Sequence, residues 1–110
     1  MIIETVFQFI YKKGDIKLTT HHIKLKEQFC DAVYFGDKPF EIRKNDRCYQ
    51  KGDHIKFIPV TEFSKGLPIM LPIYHPVQEK EYEITYVFSG WIIPQDYVVL
   101  GIKEVKKIEN

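Results

Sequence analysis

From the amino end, the hydrophobic pattern reads first as extended chain. Residues 2–11 (IIETVFQFIY) are crowded with β-branched and aromatic side chains, Lys12-Lys13-Gly14-Asp15 supplies turn residues, and a second extended run follows near 16–24. Together they predict a β-hairpin. At Leu25 the period changes: Leu25, Phe29, Ala32 and Val33 fall at i, i+4, i+7 and i+8, the apolar stripe of a short amphipathic helix, and Gly36 stands where its C-cap belongs. Pro39 cannot continue a helix. After it, Phe40 and Ile42 alternate with Glu41 and Arg43, which predicts a strand with Phe40 and Ile42 in the core and the two charged residues together on the opposite face.

Lys44-Asn45-Asp46-Arg47 reads as a polar turn, and Lys51-Gly52-Asp53 as another, leading into a strand near 54–58 with Ile55 and Phe57 inward. Residues 59–77 hold Pro59, Pro68, Pro72 and Pro76 among apolar side chains, which argues against a regular central strand. A long, partly ordered loop is expected there, packed over the rest of the domain or awaiting a protein partner. Tyr82, Ile84, Tyr86 and Phe88 alternate along a clear strand, with Tyr86 expected in the core; Ser89-Gly90-Trp91 breaks it, and 97–102 (YVVLGI) forms a last apolar strand. The charged tail 103–110 is expected to fray. There is no internal repeat. Strand, helix, then several strands predicts one small α+β barrel domain over 1–110, with one main helix lying across it.

Composition narrows this picture without changing it. A chain of 110 residues, 45% hydrophobic and 28% charged, suits a single globular core, and 15% aromatic content favours strands. The net charge of +1, from 16 basic and 15 acidic side chains, gives no strong global field, so any nucleic-acid affinity must come from a local patch. The apolar runs fall well short of the ~20 residues a membrane-spanning helix needs, so no membrane association is expected. Cys30 and Cys48 lie far apart and the N-terminus lacks the regions of a secretory signal; reduced thiols in a cytoplasmic protein are expected. His21, His22, His54 and His75 do not have metal-site spacing, Cys30 reads as a small buried residue, and there is no Gly-rich phosphate loop; no metal or cofactor is expected.

The segment Gly36-Asp37-Lys38-Pro39-Phe40-Glu41-Ile42-Arg43 resembles the Gly-x-Lys-x-x-Glu-x-Arg signature of ASCH domains, relatives of the PUA-like β-barrels. The similarity extends through His21, Ile23 and Lys24, the run Phe40 to Arg47 (FEIRKNDR), Gly52-Asp53, Thr85-Tyr86-Val87 and Tyr97 to Ile102. It looks like an uncharacterised bacterial and phage branch in which FEIRKNDR is a hallmark. The resemblance covers 21–102, leaving 1–20 as an N-terminal extension and 59–77 as a proline-rich stretch longer than the usual hairpin. It implies a barrel of about five or six mostly antiparallel strands, a cleft between barrel and helix, and binding of RNA or a modified nucleotide. Some small ASCH proteins are amidohydrolases of acetylated cytidine, and some act on RNA. In the amidohydrolases a Lys acts with a Thr and a later acid. Lys38 matches, Glu41 replaces the Thr, and Glu79, Glu81 and Glu83 are candidates for the acid by type alone.

On this resemblance Lys38, Glu41 and Arg43 line the cleft. Arg43 grips a phosphate or base edge bidentately, Lys38 adds a second cation, and Glu41 orients them or accepts from a nucleobase amine. The plainer alternative is a surface ion pair between Glu41 and Arg43, worth ~0–1 kcal/mol. Lys44 and Arg47 either extend a phosphate-binding rim or belong to a solvated turn, and Trp91 either stacks on a base or plugs the barrel end. If the protein is an enzyme, an amidohydrolase or RNA-acting hydrolase, Lys38 and Glu41 are its catalytic candidates; yet only a neutral amine attacks, and a nearby Glu41 favours the charged form. A binding module is favoured. A protein-interaction or phage accessory role for 59–77 is a further reading, and oligomeric state is not legible.

Overall fold

A computed structural model describes residues 18–63 and 69–106; most of the hairpin expected over 2–24 lies outside them. The elements run β1 (Thr20–Lys26), α1 (Glu27–Tyr34), β2 (Phe40–Lys44), β3 (His54–Phe63), β4 (Ile69–Pro72), a 3₁₀ turn (Pro76–Glu79), β5 (Tyr82–Phe88) and β6 (Tyr97–Glu104). The six strands form one sheet in the order β1, β3, β5, β6, β2, with β4 paired to the outer half of β3. β1 runs parallel to β3, and every other pairing is antiparallel. The α+β class and the single main helix agree with the sequence. A closed barrel is not formed: β1 and β2 stand at the two ends of the strand order with no backbone ladder between them. No described helix is long and apolar enough to cross a membrane.

The core lies between the inner face of this sheet and α1. Ile23 and Leu25 of β1, Ile55 and Phe57 of β3, Ile84 of β5 and Val98, Leu100 and Ile102 of β6 meet Cys30 and Val33 of α1. Burying each large aliphatic side chain contributes about 1.5–3 kcal/mol. Leu25 belongs to the strand and not to the helix stripe: β1 buries alternate residues His21, Ile23 and Leu25, and the period changes only at Glu27. Leu25 fits both periods, so spacing could not assign it. Gly36 ends the helix as expected, at φ 83°, with its N–H on the Val33 carbonyl at 3.2 Å.

The proline-rich stretch is not a loop in its first part. β3 continues through Pro59 to residue 63, and β4 turns back against it, pairing Val60 with Pro72. Proline is tolerated here because β3 pairs with β5 only through His54 and Ile55 and with β4 only from Val60 onward. Pro59 falls between the two ladders, where its missing N–H is not required, while its carbonyl still accepts from Ile73 N–H at 3.1 Å. The following 3₁₀ turn is held to α1 by His75. Its Nδ1 accepts from Val77 N–H at 3.0 Å, so its Nε2 carries the proton and donates to Asp31 at 2.8 Å.

A buried polar pair fixes the entrance to β3. His21, 6% exposed, lies with Nε2 2.8 Å from the Asp53 carboxylate, which also accepts from the backbone N–H groups of Thr19 and Gln50 at 3.3 and 3.1 Å. The turn at 50–53 is thereby tied to the start of β1. Among the described residues no buried side-chain polar atom is left without a partner.

Tyr86 is not a core residue but 62% exposed. A bulge in β5 is the cause: Ile84 faces Ile102 and Tyr86 faces Gly101, so one extra residue, Thr85, inverts the alternation beyond it. Gly101 is required opposite the bulge, because a Cβ there would sit 2.9 Å from Thr85 Oγ1 and 3.4 Å from Tyr86 Cβ. Gly101→Ala is therefore expected to lower stability by about 1–2 kcal/mol, and a Thr85→Ala background to recover most of that loss. Urea unfolding of the two single variants and the double variant checks this; additive losses would contradict it.

Candidate functional site

The signature segment begins where α1 ends. Lys38 N–H bonds the Ala32 carbonyl at 3.0 Å, which fixes the helix-to-strand turn and delivers the chain into β2. β2 then pairs with β6 in a register that sets Glu41 opposite Leu100 and Arg43 opposite Val98. Opposed residues share a sheet face. Leu100 and Val98 are fully buried, so Glu41 and Arg43 take the inner face, and Phe40 and Ile42 the outer.

This inverts the expectation from the sequence. Glu41 is 2% exposed, whereas Phe40 and Ile42 are 39% and 57% exposed. The alternation correctly paired Glu41 with Arg43 on one face, but which face is buried is decided by β6, whose inward Val98, Leu100 and Ile102 hold the stronger claim on the core. The Glu41 interaction is accordingly not a surface ion pair.

A buried carboxylate must be compensated by charge or hydrogen bonds. Lys38 Nζ donates to Glu41 Oε1 at 2.7 Å, and Arg43 Nη1 lies 3.6 Å from Oε2. The Lys38 ammonium also sits 4.4 Å from the ring centre of Phe29 and 5.5 Å from that of Phe40, both within cation–π range. Arg43 makes a second connection: its Nη1 donates to the Lys24 carbonyl at 2.9 Å. Arg47 Nη1 donates to the His22 carbonyl at 2.7 Å. His22 and Lys24, two apart on β1, present their carbonyls on the same side of the strand. Two guanidinium groups from β2 and its following turn thus bridge the ends of the sheet where a backbone ladder is missing.

Beside this bridge lies a cleft of about 680 Å³ between α1, β1, β2 and the β3–β4 hairpin. Among the described residues that line it, Lys24, Lys26, Lys38 and Arg43 stand with the carboxylate of Glu41. Phe29, Phe40, Ile42 and Met70 supply apolar walls. The structure therefore brings Lys38, Glu41 and Arg43 together as expected and adds Lys24, Lys26, Phe29 and Met70, which come from other elements.

Other candidates stand apart. Lys44 is exposed and does not line the cleft. Arg47 is committed to the His22 carbonyl. Trp91, at φ 53° and 86% exposed in the β5–β6 turn, plugs nothing and does not line the cleft. Glu79, Glu81 and Glu83 do not line it either, and Glu81 pairs with His54. Cys30 is fully buried; burial pushes its thiol pKa up and the charges of Glu27, Asp31 and Glu41 add to this, which disfavours the nucleophilic thiolate. Cys48 is an exposed free thiol. The described residues hold no group of three metal-ligating side chains.

The bridge can be tested directly. Arg43→Ala is expected to cost about 1–2 kcal/mol, the worth of a charge-assisted hydrogen bond discounted for partial exposure. Amide exchange should then accelerate in β1 and β2 while β5 and β6 stay protected. Uniform acceleration, or none, would contradict a local bridging role.

Among curated proteins none matches the chain. A family described as a domain of unknown function (DUF3850) matches residues 20–102, from the first residue of β1 to near the end of β6. The match takes in every element that builds the cleft, and the chain belongs to the DUF3850 family.

Proposed function

We propose that this chain is an RNA- or modified-nucleotide-binding domain of the ASCH, PUA-like type, with the ligand held in the cleft beside Lys38, Glu41 and Arg43. The observation that carries this reading is the cleft's composition among the described residues: the basic side chains of Lys24, Lys38 and Arg43 and the carboxylate of Glu41 among aromatic and aliphatic walls, in about 680 Å³. Cations meet phosphate, the part-exposed ring of Phe40 offers stacking surface to a base, and a carboxylate accepts from an exocyclic amine. The chain's overall charge of +1 makes that local concentration of cations the more distinctive. A barrel ancestry fits the same reading, since the seam between β1 and β2 is spanned by Arg43 and Arg47.

The roles within the signature differ from a simple phosphate grip. Arg43 and Lys38 hold Glu41 first, and Arg43 retains guanidinium N–H groups beyond the one on Lys24 for a ligand. Lys24 is the cation best placed to meet phosphate without dismantling the fold. A hydrolytic role gains no support: an ammonium donating to a carboxylate at 2.7 Å offers charge and not a lone pair.

Fluorescence anisotropy with single-stranded RNA over a range of salt tests the proposal. Three phosphate contacts correspond to a slope of log affinity against log salt near −2, at ~0.7 per phosphate. Lys24→Ala is expected to weaken binding and make the slope shallower by about 0.7, and Lys51→Ala, in the exposed turn before β3, to change neither. A flat salt dependence, or wild-type binding by Lys24→Ala, would overturn the reading.

A further inference from the structure

A second cavity, of about 480 Å³, opens on the other side of the helix-to-strand turn. Its lining includes Phe35, Lys38, Lys80, Lys103 and Glu104. Lys38 is the residue it shares with the first cleft. The Lys38 ammonium points into the first cleft, onto Glu41 and between Phe29 and Phe40. The Gly36-Asp37-Lys38-Pro39 turn is therefore a saddle one residue wide, with a cationic, aromatic-edged hollow on each side.

The two hollows offer the same pair of groups. In the first, Lys24 and the half-exposed Phe40 both line the cleft; in the second, Lys103 and Phe35, which is 71% exposed, both line the cavity. Lys80 in the second is committed, donating to Glu104 at 3.0 Å and to the Tyr34 carbonyl at 3.1 Å. Lys103 is exposed, opposite Glu83 in the β5–β6 register, and an aromatic side chain and a cation in one hollow are the repeating unit by which single-stranded nucleic acid is held without reading sequence. A mononucleotide would occupy one such hollow and leave the other unused.

We infer that the ligand is a single-stranded oligonucleotide of several residues that crosses the Lys38 saddle, one part in the Lys24 cleft and the next against Phe35 and Lys103. This rests on the reading of the first cleft as a nucleotide site and extends it in length and direction. The β6 end of the site, at Lys103, then contributes affinity only for ligands long enough to reach it.

Binding of uridine monophosphate and of oligouridylates of three and six nucleotides to the full chain tests this by calorimetry. Affinity is expected to rise about tenfold or more from the mononucleotide to the hexamer. Lys103→Ala should weaken the hexamer several-fold and reduce its salt slope by about 0.7, with no effect on the mononucleotide. Phe35→Ala should weaken the hexamer likewise, while Lys24→Ala weakens every length. Both Lys103 and Phe35 are exposed, so neither variant disturbs the core. If Lys103→Ala and Phe35→Ala bind the hexamer as wild type while Lys24→Ala does not, the saddle path is wrong and the cleft stands. Equal weakening of the mononucleotide by Lys103→Ala also overturns the path. Failure of wild type to bind any length removes both.

Discussion

Taking a carboxylate out of water costs several kcal/mol even after the protein relaxes around it, and Glu41, 2% exposed, sits among the apolar residues of β6. What makes this tolerable is the pair of cations on its two oxygens. Lys38 comes from the turn that ends α1, and Arg43 comes from β2 and reaches on to the backbone of β1. A single buried charge thus gathers the helix end, one end of the sheet and the other end of the sheet into one arrangement. The cleft is the space left between them. Lys38 and Arg43 among its cations, and Phe40 and Ile42 among its walls, are placed by how Glu41 is accommodated.

The inversion of β2 links stability to function. Turning Glu41 and Arg43 inward forces Phe40 and Ile42 outward, and these two side chains become part of the cleft's wall beside Lys38. Two apolar residues left half in water weaken the core, and that loss is offset elsewhere by the fully buried sets of β1, β3 and β6. The same four residues therefore provide charge on one face and stacking surface on the other. A strand with the opposite orientation, as its hydrophobicity alone suggests, would pack better and hold nothing.

How much of this was legible in the sequence depended on whether a local rule could settle the matter. β3 and β6 were legible because one face of each is unambiguously apolar, and Ile55, Phe57, Val98 and Leu100 are all inward. The helix end was legible because Gly36 meets a backbone demand that few other residues can. β2 was misread because alternation says which residues share a face and not which face is buried; that depends on register against β6, fifty-odd residues away along the chain. Tyr86 was misread because a one-residue bulge opposite Gly101 flips a pattern that was otherwise correct. Pro59 obeyed its rule, but the rule could not see a gap between two ladders. In the site, Lys38, Glu41 and Arg43 were named through the resemblance of the segment 36–43 to a family signature, whereas Lys24, Phe29 and Met70 converge only in three dimensions. The His21–Asp53 pair, 32 residues apart, left no local trace at all.

The pair of buried Glu41 and partly buried Lys38 is the coupled interaction on which the cleft's geometry rests. A double-mutant cycle with Lys38→Met, Glu41→Leu and the double variant, read by chemical unfolding, tests it most directly. Lys38→Met leaves the buried Glu41 carboxylate, and Glu41→Leu the partly buried Lys38 ammonium, with an incomplete set of partners, whereas the double change replaces the pair with apolar groups of similar size. A coupling of about 2 kcal/mol or more is expected, with the double variant more stable than either single one. Additivity within about 0.5 kcal/mol would contradict the claim.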